Sequence, residues 1–222
     1  MSRYDRLLEL SSFSKEKLQL LQSKKVLIVG VGGVGQYIAC SLVTNGIEQL
    51  SIVDFDVVEM SNLNRQILLN EEDINQKKVL VVKKALYSKN HDAKINTLDL
   101  KVDESNVLEL IKDHDVIVDA VDNWKTKLIL SNASFKLHKP LLHVGVDGEK
   151  GQYCLFTNKS LLDVVSNDVL SEPRDGVMGP MVGVLSSLAA LELLRYLSNE
   201  NIKTDVMYHF DLNNHKLVKI NL

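Results

Sequence analysis

Compact runs of apolar residues alternate with amphipathic segments along the first two thirds of the chain. The runs are short and rich in β-branched residues, which predicts buried strands at 25–29, 49–54, 93–98, 115–119 and 141–146. Between them, apolar residues recur at helical spacing and predict helices at 34–44, 75–88, 105–111 and 125–137. Connections of this length are too long for hairpins, so the strands should be parallel, with helices on both faces of the sheet. Right-handed crossovers then predict an α/β fold with a doubly wound, mostly parallel sheet of the Rossmann type.

The last third of the chain follows a different pattern. A strand is predicted at 152–157, then a polar loop at 158–176 and a long helix at 177–198. Two final runs, 208–212 and 216–221, flank Asn213-Asn214-His215, which is typical of a hairpin turn. We interpret this part as an antiparallel C-terminal extension of the same domain. Residues 2–22 are interpreted as two short helices before the first strand, the second capped by Ser14.

The composition is that of a globular protein: 222 residues, of which 45% are hydrophobic and 25% are charged. The net charge of -3 argues against non-specific nucleic-acid binding, which depends on neutralising phosphates. Cys40 and Cys154 lie far apart within apolar runs and no CxxC pair occurs, so neither a zinc knuckle nor a dithiol redox site is expected. The cysteine usage predicts a cytoplasmic protein. The chain starts without an apolar signal segment and has no long uncharged apolar run, so no membrane span is expected.

A glycine-rich turn lies between the first predicted strand and helix. Its glycines are Gly30, Gly32, Gly33 and Gly35, and Asp54 follows nineteen residues later at the end of the second strand. Glycines let the backbone approach a phosphate at a helix N-terminus, and a carboxylate at that distance can bind a ribose diol. The turn therefore predicts a nucleotide site, with NAD, FAD and ATP all possible; the alternative is that the glycines only permit close helix–strand packing.

Polar side chains also follow the carboxyl ends of the second and fourth strands, where ligands bind in open α/β sheets. The binding candidates are Asp56, Asn62, Arg65, Gln66, Lys78, Asp122 and Asn123. A triphosphate needs cations and usually Mg²⁺, whereas a dinucleotide needs little beyond the glycine turn. Arg65 can bind two phosphate oxygens at once, Lys78 supplies a point charge, and Asp122 could hold the metal. Lys77 should face solvent, and the six scattered histidines are interpreted as structural or surface residues.

The order of these motifs resembles the ThiF/MoeB/HesA family of adenylyltransferases, which are related to the ubiquitin-activating enzymes. The series is GxGGxG, then DxDxVxxSNLxRQ, then QxK, then DxxDN. Three further segments match: the RYDR start at 3–6, EKGQ at 149–152 and GVMGPMVG at 176–183. The resemblance therefore runs over nearly the whole chain.

The resemblance implies a function and a set of roles. Family members use ATP to convert the C-terminal glycine of a small ubiquitin-like sulfur carrier, of the ThiS or MoaD type, into an acyl-adenylate with release of pyrophosphate. The products serve thiamine or molybdopterin biosynthesis. By resemblance, Gly32, Gly33 and Gly35 would line the nucleotide, Asp54 would bind the ribose, Asn62, Arg65 and Lys78 would contact the phosphates, Asp122 would bind Mg²⁺, and Arg6 would reach the triphosphate held by the other subunit of a homodimer.

The chain also departs from the family. Many members carry two CxxC pairs that bind zinc, and some place a nucleophilic cysteine in the crossover loop. This chain has neither, so we expect no zinc and adenylation only, with a separate protein as sulfur donor. The predicted single domain, 1–222, comprises N-terminal helices (1–22), a nucleotide-binding half (23–147) and an antiparallel, carrier-binding half (148–222). An apolar helix at 182–197 is either intramolecular core or part of a dimer interface, and the resemblance favours the dimer.

Four other functions stay open at this point. Two are relatives of the same chemistry: adenylation of a short peptide in antibiotic biosynthesis, and carboxylate activation like that of the tRNA threonylcarbamoyladenosine dehydratase. A nicotinamide-dependent oxidoreductase would share the glycine turn and Asp54 but would leave the phosphate cluster without a task. A non-catalytic module could hold a ubiquitin-fold partner without using ATP.

Overall fold

An eight-stranded sheet runs through the molecule. The computed structural model describes residues 2–164 and 176–222. The strands are β1 Lys25–Val29, β2 Gln49–Val53, β3 Lys94–Leu98, β4 Val116–Asp119, β5 Leu141–Asp147, β6 Lys150–Phe156, β7 Val206–Asp211 and β8 Lys216–Asn221. Their order is β3-β2-β1-β4-β5-β6-β7-β8. The first five strands pair in parallel, and β5 to β8 pair antiparallel. The predicted mostly parallel sheet with an antiparallel C-terminal extension is confirmed.

Helices cover both faces of the sheet. They are α1 Asp5–Leu8, α2 Lys15–Ser23, α3 Gly33–Thr44, α4 Lys78–Lys89, α5 Val107–Ile111, α6 Trp124–Lys136 and α7 Gly179–Leu197. On one face Leu42, Leu86 and Leu185 from α3, α4 and α7 join the larger apolar core. On the other face Ile111 and Leu130 from α5 and α6 form a second core. Each face therefore buries its own helical layer, as a doubly wound sheet requires.

Several element boundaries differ from the prediction by one to three residues, and two of these differences affect the site. The helix predicted from residue 75 begins at Lys78, because Asn75 adopts a left-handed backbone with φ of 70° and Val57 forms a bridge with Lys77. The strand predicted at 152–157 begins at Lys150, because β5 continues to Asp147 and the two strands meet in a tight turn. These two strands therefore project further past β4 than the sequence indicates.

The polar loop predicted at 158–176 is only partly described. It contains a short 3₁₀ helix, Leu161–Asp163, and residues 165–175 lie outside the described residues. Beyond it, α7 is long and apolar enough to cross a membrane by length and composition alone, and half of its apolar window is buried inside the protein. Its side chains Val184 and Leu191 remain exposed, so the molecule's own core covers only part of this helix.

Candidate active site

A cleft of about 1230 Å³ opens at the carboxyl ends of the parallel strands. It follows the edge of the sheet from β2 across β1, β4 and β5 to β6. Most of the predicted site residues line it: Gly30, Gly32, Gly33, Asp54, Asp56, Asn62, Arg65, Gln66, Lys78, Asp122 and Asn123. Gly35 and Arg6 do not. Residues separated by up to 93 positions in the sequence thus converge on one site because parallel strands end at the same edge.

The glycine turn is held by the carboxylate of Asp54. Its Oδ2 accepts a hydrogen bond from the backbone N–H of Val31 at 2.8 Å, and its Oδ1 accepts one from that of Asp56 at 2.9 Å. Burial raises the pKa of Asp54, and these backbone hydrogen bonds oppose the shift. Gly30 has a φ of +89°, and a Cβ there would lie 2.7 Å from the carbonyl oxygen of Ala120. The turn thus requires glycine at position 30. The hydrogen bond from Val31 to Asp54 holds the turn next to the part of the cleft that Asp54 lines.

Gly35 lies behind the cleft. A Cβ on it would lie 2.0 Å from the carbonyl oxygen of Gly30, so this glycine lets α3 pack against the end of β1. The predicted contact between Gly35 and a nucleotide is therefore not supported, and the packing role explains the residue.

Gln36 fixes the glycine turn to the next loop and was not predicted from the sequence. It is fully buried, and its Nε2 donates to the carbonyl of Val31 at 2.9 Å and to Oε1 of Gln66 at 3.2 Å. Its Oε1 accepts from the backbone N–H of Leu68 at 2.9 Å. Gln66 lines the cleft but is itself 97% buried, since only 3% of it is exposed, so its main contact is with this scaffold. A buried polar residue just after a glycine turn is the sequence signal that could have identified Gln36.

The two adjacent lysines at the start of α4 have different environments. Lys78 is only 6% exposed, lines the cleft and forms an ion pair between its Nζ and Oδ2 of Asp56 at 2.8 Å. Lys77 is partly exposed, does not line the cleft and pairs with Asp99 at 3.1 Å. The Asp56 side chain is 48% exposed, so a bound anion could replace it as the partner of Lys78.

Arg65 has only neutral hydrogen-bond partners in the part of the chain that the structure describes. Its Nη1 donates to the carbonyl of Ser61 at 2.8 Å and to Oδ1 of Asn64 at 2.9 Å. The N-terminus of α7 packs closely here, since a Cβ on Gly179 would lie 2.6 Å from the carbonyl oxygen of Asn64. Asn62 is buried and its Oδ1 accepts from the backbone N–H of Glu59 at 3.2 Å. A guanidinium held by neutral groups keeps its charge available for an anion in the cleft.

Asp122 and Asn123 follow β4 on the other side of the glycine turn. Oδ1 of Asn123 accepts from the backbone N–H of Thr126 at 2.9 Å and caps α6, while Asp122 is exposed on the cleft wall. Residues 2–164 and 176–222 contain no group of three His, Cys, Asp or Glu that could hold a metal ion. Mg²⁺ does not require one, since it is commonly bound by one or two carboxylates together with substrate phosphates and water. The single carboxylate of Asp122 therefore fits an ion that enters with a nucleotide.

A buried polar cluster lies beneath the middle of the cleft and was missed by the sequence analysis. Asp119 is fully buried at the end of β4, and Lys127 on α6 donates to both of its carboxylate oxygens at 3.2 and 3.3 Å. Lys127 also donates to the carbonyl of Val144 at 3.0 Å. Nδ1 of His143, on β5, lies 2.8 Å from Oδ2 of Asp119. Lys127 and His143 line the cleft, and the full burial of His143 fits its interpretation as a structural residue.

Charge balance in this cluster determines the protonation states. Burial would raise the pKa of Asp119, but the charge of Lys127 and the hydrogen bond from His143 outweigh it and lower the pKa. Burial, assisted by the charge of Lys127, lowers the pKa of His143 despite the neighbouring carboxylate. At neutral pH the imidazole is therefore neutral, with its Nδ1–H donating to Asp119 and its Nε2 left as an acceptor.

Arg6 lies at the opposite end of the sheet from the cleft. It is exposed on α1 and pairs with Glu9 at 2.8 Å. The neighbouring Arg3 donates to the carbonyl of Lys89, at the C-terminus of α4, whereas Lys78 at its N-terminus lines the cleft. A helix of this length separates the two ends by roughly 18 Å, at 1.5 Å per residue. Arg6 therefore does not belong to the cleft of its own chain.

The sequence was compared with family models and with curated proteins, and the fold was compared with solved structures. The model of the ThiF family matches residues 4–222. The sulfur carrier protein adenylyltransferase of Thermus thermophilus is 30% identical over 210 residues, which cover 89% of this chain and 78% of that protein. The molybdopterin-synthase adenylyltransferase of Escherichia coli is 31% identical over 205 residues, covering 89% and 82%. The MOCS3 adenylyltransferase and sulfurtransferase of Anopheles gambiae is 33% identical, and the match spans 50% of its length.

Solved structures agree on the fold. The crystal structure of E. coli MccB with MccA-N7isoASN superposes with a TM-score of 0.89 at 21% identity, covering 99% of this chain and 71% of that chain. MccB with ATP gives a TM-score of 0.85 at 20% identity. Likeness at this identity concerns the fold alone, whereas the family match and the curated relatives concern the chemistry. The chain belongs to the ThiF family and is a nucleotidyltransferase.

Proposed function

We propose that this protein uses ATP to adenylate the C-terminal glycine carboxylate of a small ubiquitin-like sulfur carrier of the ThiS or MoaD type. The observation that carries the proposal is the convergence of Lys78, Arg65 and Asp122 around one glycine turn in one cleft. The names of the curated relatives support a sulfur carrier as the partner. Membership of an adenylyltransferase family favours ATP over a nicotinamide cofactor and catalysis over passive binding.

The cleft suggests how ATP would bind. Asp54, at the end of β2, would accept hydrogen bonds from the ribose on the lone pairs that the backbone leaves free. The backbone N–H groups at the start of α3 would face the phosphates, where the helix dipole favours negative charge. Lys78 would release Asp56 and bind a phosphate oxygen instead. Arg65 would release its neutral partners and bind two phosphate oxygens.

The reaction needs positioning and charge stabilisation more than proton transfer. A C-terminal carboxyl group has a pKa of about 3.5 and is ionised at neutral pH, so its attack on the α-phosphate needs no general base. The new carboxyl oxygen–phosphorus bond forms as the bond to pyrophosphate breaks, and the two cationic side chains would stabilise the charge on the departing pyrophosphate. Bound Mg²⁺, held in part by Asp122, would screen the two like charges that must approach one another.

Two observations support a proposed arrangement of partners. Arg6 is remote from its own cleft, so a contribution to catalysis requires a second copy of the chain, and we propose a homodimer in which it reaches the partner's triphosphate. The exposed Val184 and Leu191 on α7 are compatible with such an interface. Sulfur would come from a separate protein: Cys154 is buried and burial raises the pKa of its thiol to about 12, and burial also raises that of Cys40. Neither cysteine supports a thioester or persulfide step. We also propose that the reaction takes place in the cytoplasm.

The test is ATP–pyrophosphate exchange driven by candidate carriers that end in Gly-Gly, with short peptides in a parallel arm. We expect exchange with a carrier, and a loss of about 10²- to 10³-fold in Asp122→Asn, the effect typical of removing one electrostatic stabiliser. Asp115→Asn, just before β4 at the opposite end of the sheet, should retain full exchange, because its carboxylate accepts from the backbone N–H of Lys25 and does not line the cleft. Exchange with peptides but with no carrier would contradict the carrier assignment, and full activity of Asp122→Asn would contradict the proposed metal role.

A further inference from the structure

The wall of the cleft opposite the glycine turn is built by β5 and β6. Asp119, the last residue of β4, pairs with His143, so β5 continues for four more residues beyond the end of β4. Gly145, two residues further on, pairs with Gln152 of β6. Both residues line the cleft. A Cβ on Gly145 would lie 3.7 Å from Cγ of Gln152 and 3.7 Å from Nε2 of His143, so the absent side chain leaves a space that these two residues face.

Gln152 is oriented from below by the buried cluster. Because the Nδ1–H of His143 donates to Asp119, its Nε2 is an acceptor, and the side-chain amide of Gln152 donates to it at 3.4 Å. This is the only hydrogen bond that the carboxamide makes to the described residues. Its carbonyl oxygen and its second N–H are therefore free for a ligand. Lys127 fixes the cluster in turn by its bonds to Asp119 and to the carbonyl of Val144.

The spacing of the strands places Gln152 next to the reaction. Neighbouring strands lie about 4.8 Å apart, so β5 is one spacing and β6 two spacings from β4. Asp122, the proposed metal ligand, follows the end of β4. A carboxylate attacking a phosphate beside Asp122 would trail its main chain toward Gly145. Extended chain advances about 3.4 Å per residue, so the last two residues of the donor reach past β5, and the side chain of Gln152 extends from β6 over Gly145 to meet them. A glycine floor fits a flat peptide group, which carries one donor and one acceptor, as a carboxamide does.

We propose that Gln152 binds the main chain of the acyl donor at one of its last two peptide bonds, over Gly145, and that His143 with Asp119 and Lys127 are positioning residues for it. The inference rests on the proposed function and names a substrate class within it. The donor would be a carboxylate that follows a peptide group with no side chain to fill the space over Gly145. A free small carboxylic acid would lack the group that Gln152 binds.

The test compares donor and ATP kinetics in Gln152→Leu, which keeps a side chain of similar volume and removes the carboxamide. The probe is a carrier ending in Gly-Gly, used in ATP–pyrophosphate exchange. We expect kcat/KM for the carrier to fall roughly five- to tenfold, the usual value of one or two net hydrogen bonds, with the calorimetric Kd for ATP unchanged. Gln49→Leu is the matched control, because Gln49 is also a partly buried strand glutamine but lies at the opposite end of the sheet, where it donates to the carbonyl of Ser23.

Two modified carriers test the contact between Gln152 and the donor main chain directly. They are prepared by ligation and carry an ester in place of either the last or the second-last peptide bond, which removes one N–H. One of the two esters should lower kcat/KM in the wild type and have no further effect in Gln152→Leu, as a double-mutant cycle requires of a direct contact. Additive losses for both esters would overturn the inference, and so would a raised Kd for ATP in Gln152→Leu. If the wild type neither binds ATP nor exchanges with any carrier, the proposed function itself fails.

Discussion

The two sides of the cleft are stabilised in opposite ways. On the side of β1, β2 and α4, the cations are held by partners that a ligand could replace: Lys78 by a half-exposed carboxylate and Arg65 by neutral oxygens. On the side of β4 to β6, Lys127, Asp119 and His143 are at least 95% buried and bind one another. Replaceable partners suit side chains that must release a protein contact in order to bind substrate. Mutually bonded, buried partners suit side chains that keep the cleft wall fixed while substrate binds on the other side.

The buried side should make the larger contribution to stability. In Lys127→Met the apolar chain is similar in length, but Asp119 loses its cation while remaining buried. Breaking a buried pair in this way costs about 3–5 kcal/mol of the free energy of unfolding. Denaturant unfolding followed by circular dichroism measures this loss.

The matched control is Lys112→Met on α5, whose lysine pairs with Glu109 on the exposed surface. It should change the free energy of unfolding far less, because water replaces an exposed partner readily. Similar losses in both variants would show that the cluster is not a stabilising unit and would remove the contrast between the two sides.

The open side should instead determine activity, and the adjacent lysines of α4 test this. In Lys78→Ala the rate of ATP–pyrophosphate exchange should fall by about 10²- to 10³-fold, because a cation that stabilises the leaving pyrophosphate is lost. Lys77→Ala removes the same charge one residue earlier, where it pairs with Asp99 outside the cleft, and should stay close to wild type. Equal effects of the two substitutions would mean that only the overall charge near α4 matters.

The sequence predicted the open side well because its residues form contiguous motifs. The glycine turn, the SNLNRQ segment and Lys78 each follow a predicted strand, and parallel strands bring their ends together without further information. Helix geometry predicts that only one of Lys77 and Lys78 faces the cleft, since adjacent residues point in different directions, and the resemblance to the family selects Lys78.

The buried side was missed because its members come from three separate elements. Lys127 resembles a solvent-facing lysine of an amphipathic helix, and His143 has no ligand spacing; only the pairing of β4 with β5 brings them to Asp119. A signal was present, because a carboxylate ending a fully buried strand needs a cationic or hydrogen-bonding partner. Gly35 illustrates the opposite case, since a motif does not separate a glycine that approaches a phosphate from one that packs a helix, and Gly35 packs α3 against the end of β1.

The pH dependence of stability gives the smallest of the expected effects. The pKa of His143 is lowered in the folded state, so between its usual value near 6.5 and the lower folded value the unfolded chain binds a proton that the folded protein excludes. Stability therefore decreases as the pH falls through this window, by at most about 1.4 kcal/mol per pH unit from this group. Asp119, whose pKa is also lowered, adds a loss of the same sign only below about pH 4, and His114 contributes in the same window as His143.

Unfolding free energies of the wild type and His143→Asn between pH 5 and 7.5 measure this term. Asparagine can still donate to Asp119 but does not titrate, so the variant should be less stable at pH 7.5 and should lose less stability toward pH 5. His215→Asn is the control: His215 is exposed in the β7–β8 hairpin with a left-handed backbone that asparagine tolerates, so the wild-type slope should be retained. If His143→Asn keeps the full slope, His143 binds its proton equally in the folded and unfolded states and the predicted contribution is absent. If the variant loses stability more steeply than the wild type, the pKa of His143 is raised and the buried imidazole is protonated in the folded state. Its Nε2 would then be a donor, Gln152 would have to turn its oxygen toward the ring, and the side of the carboxamide offered to a ligand would be reversed.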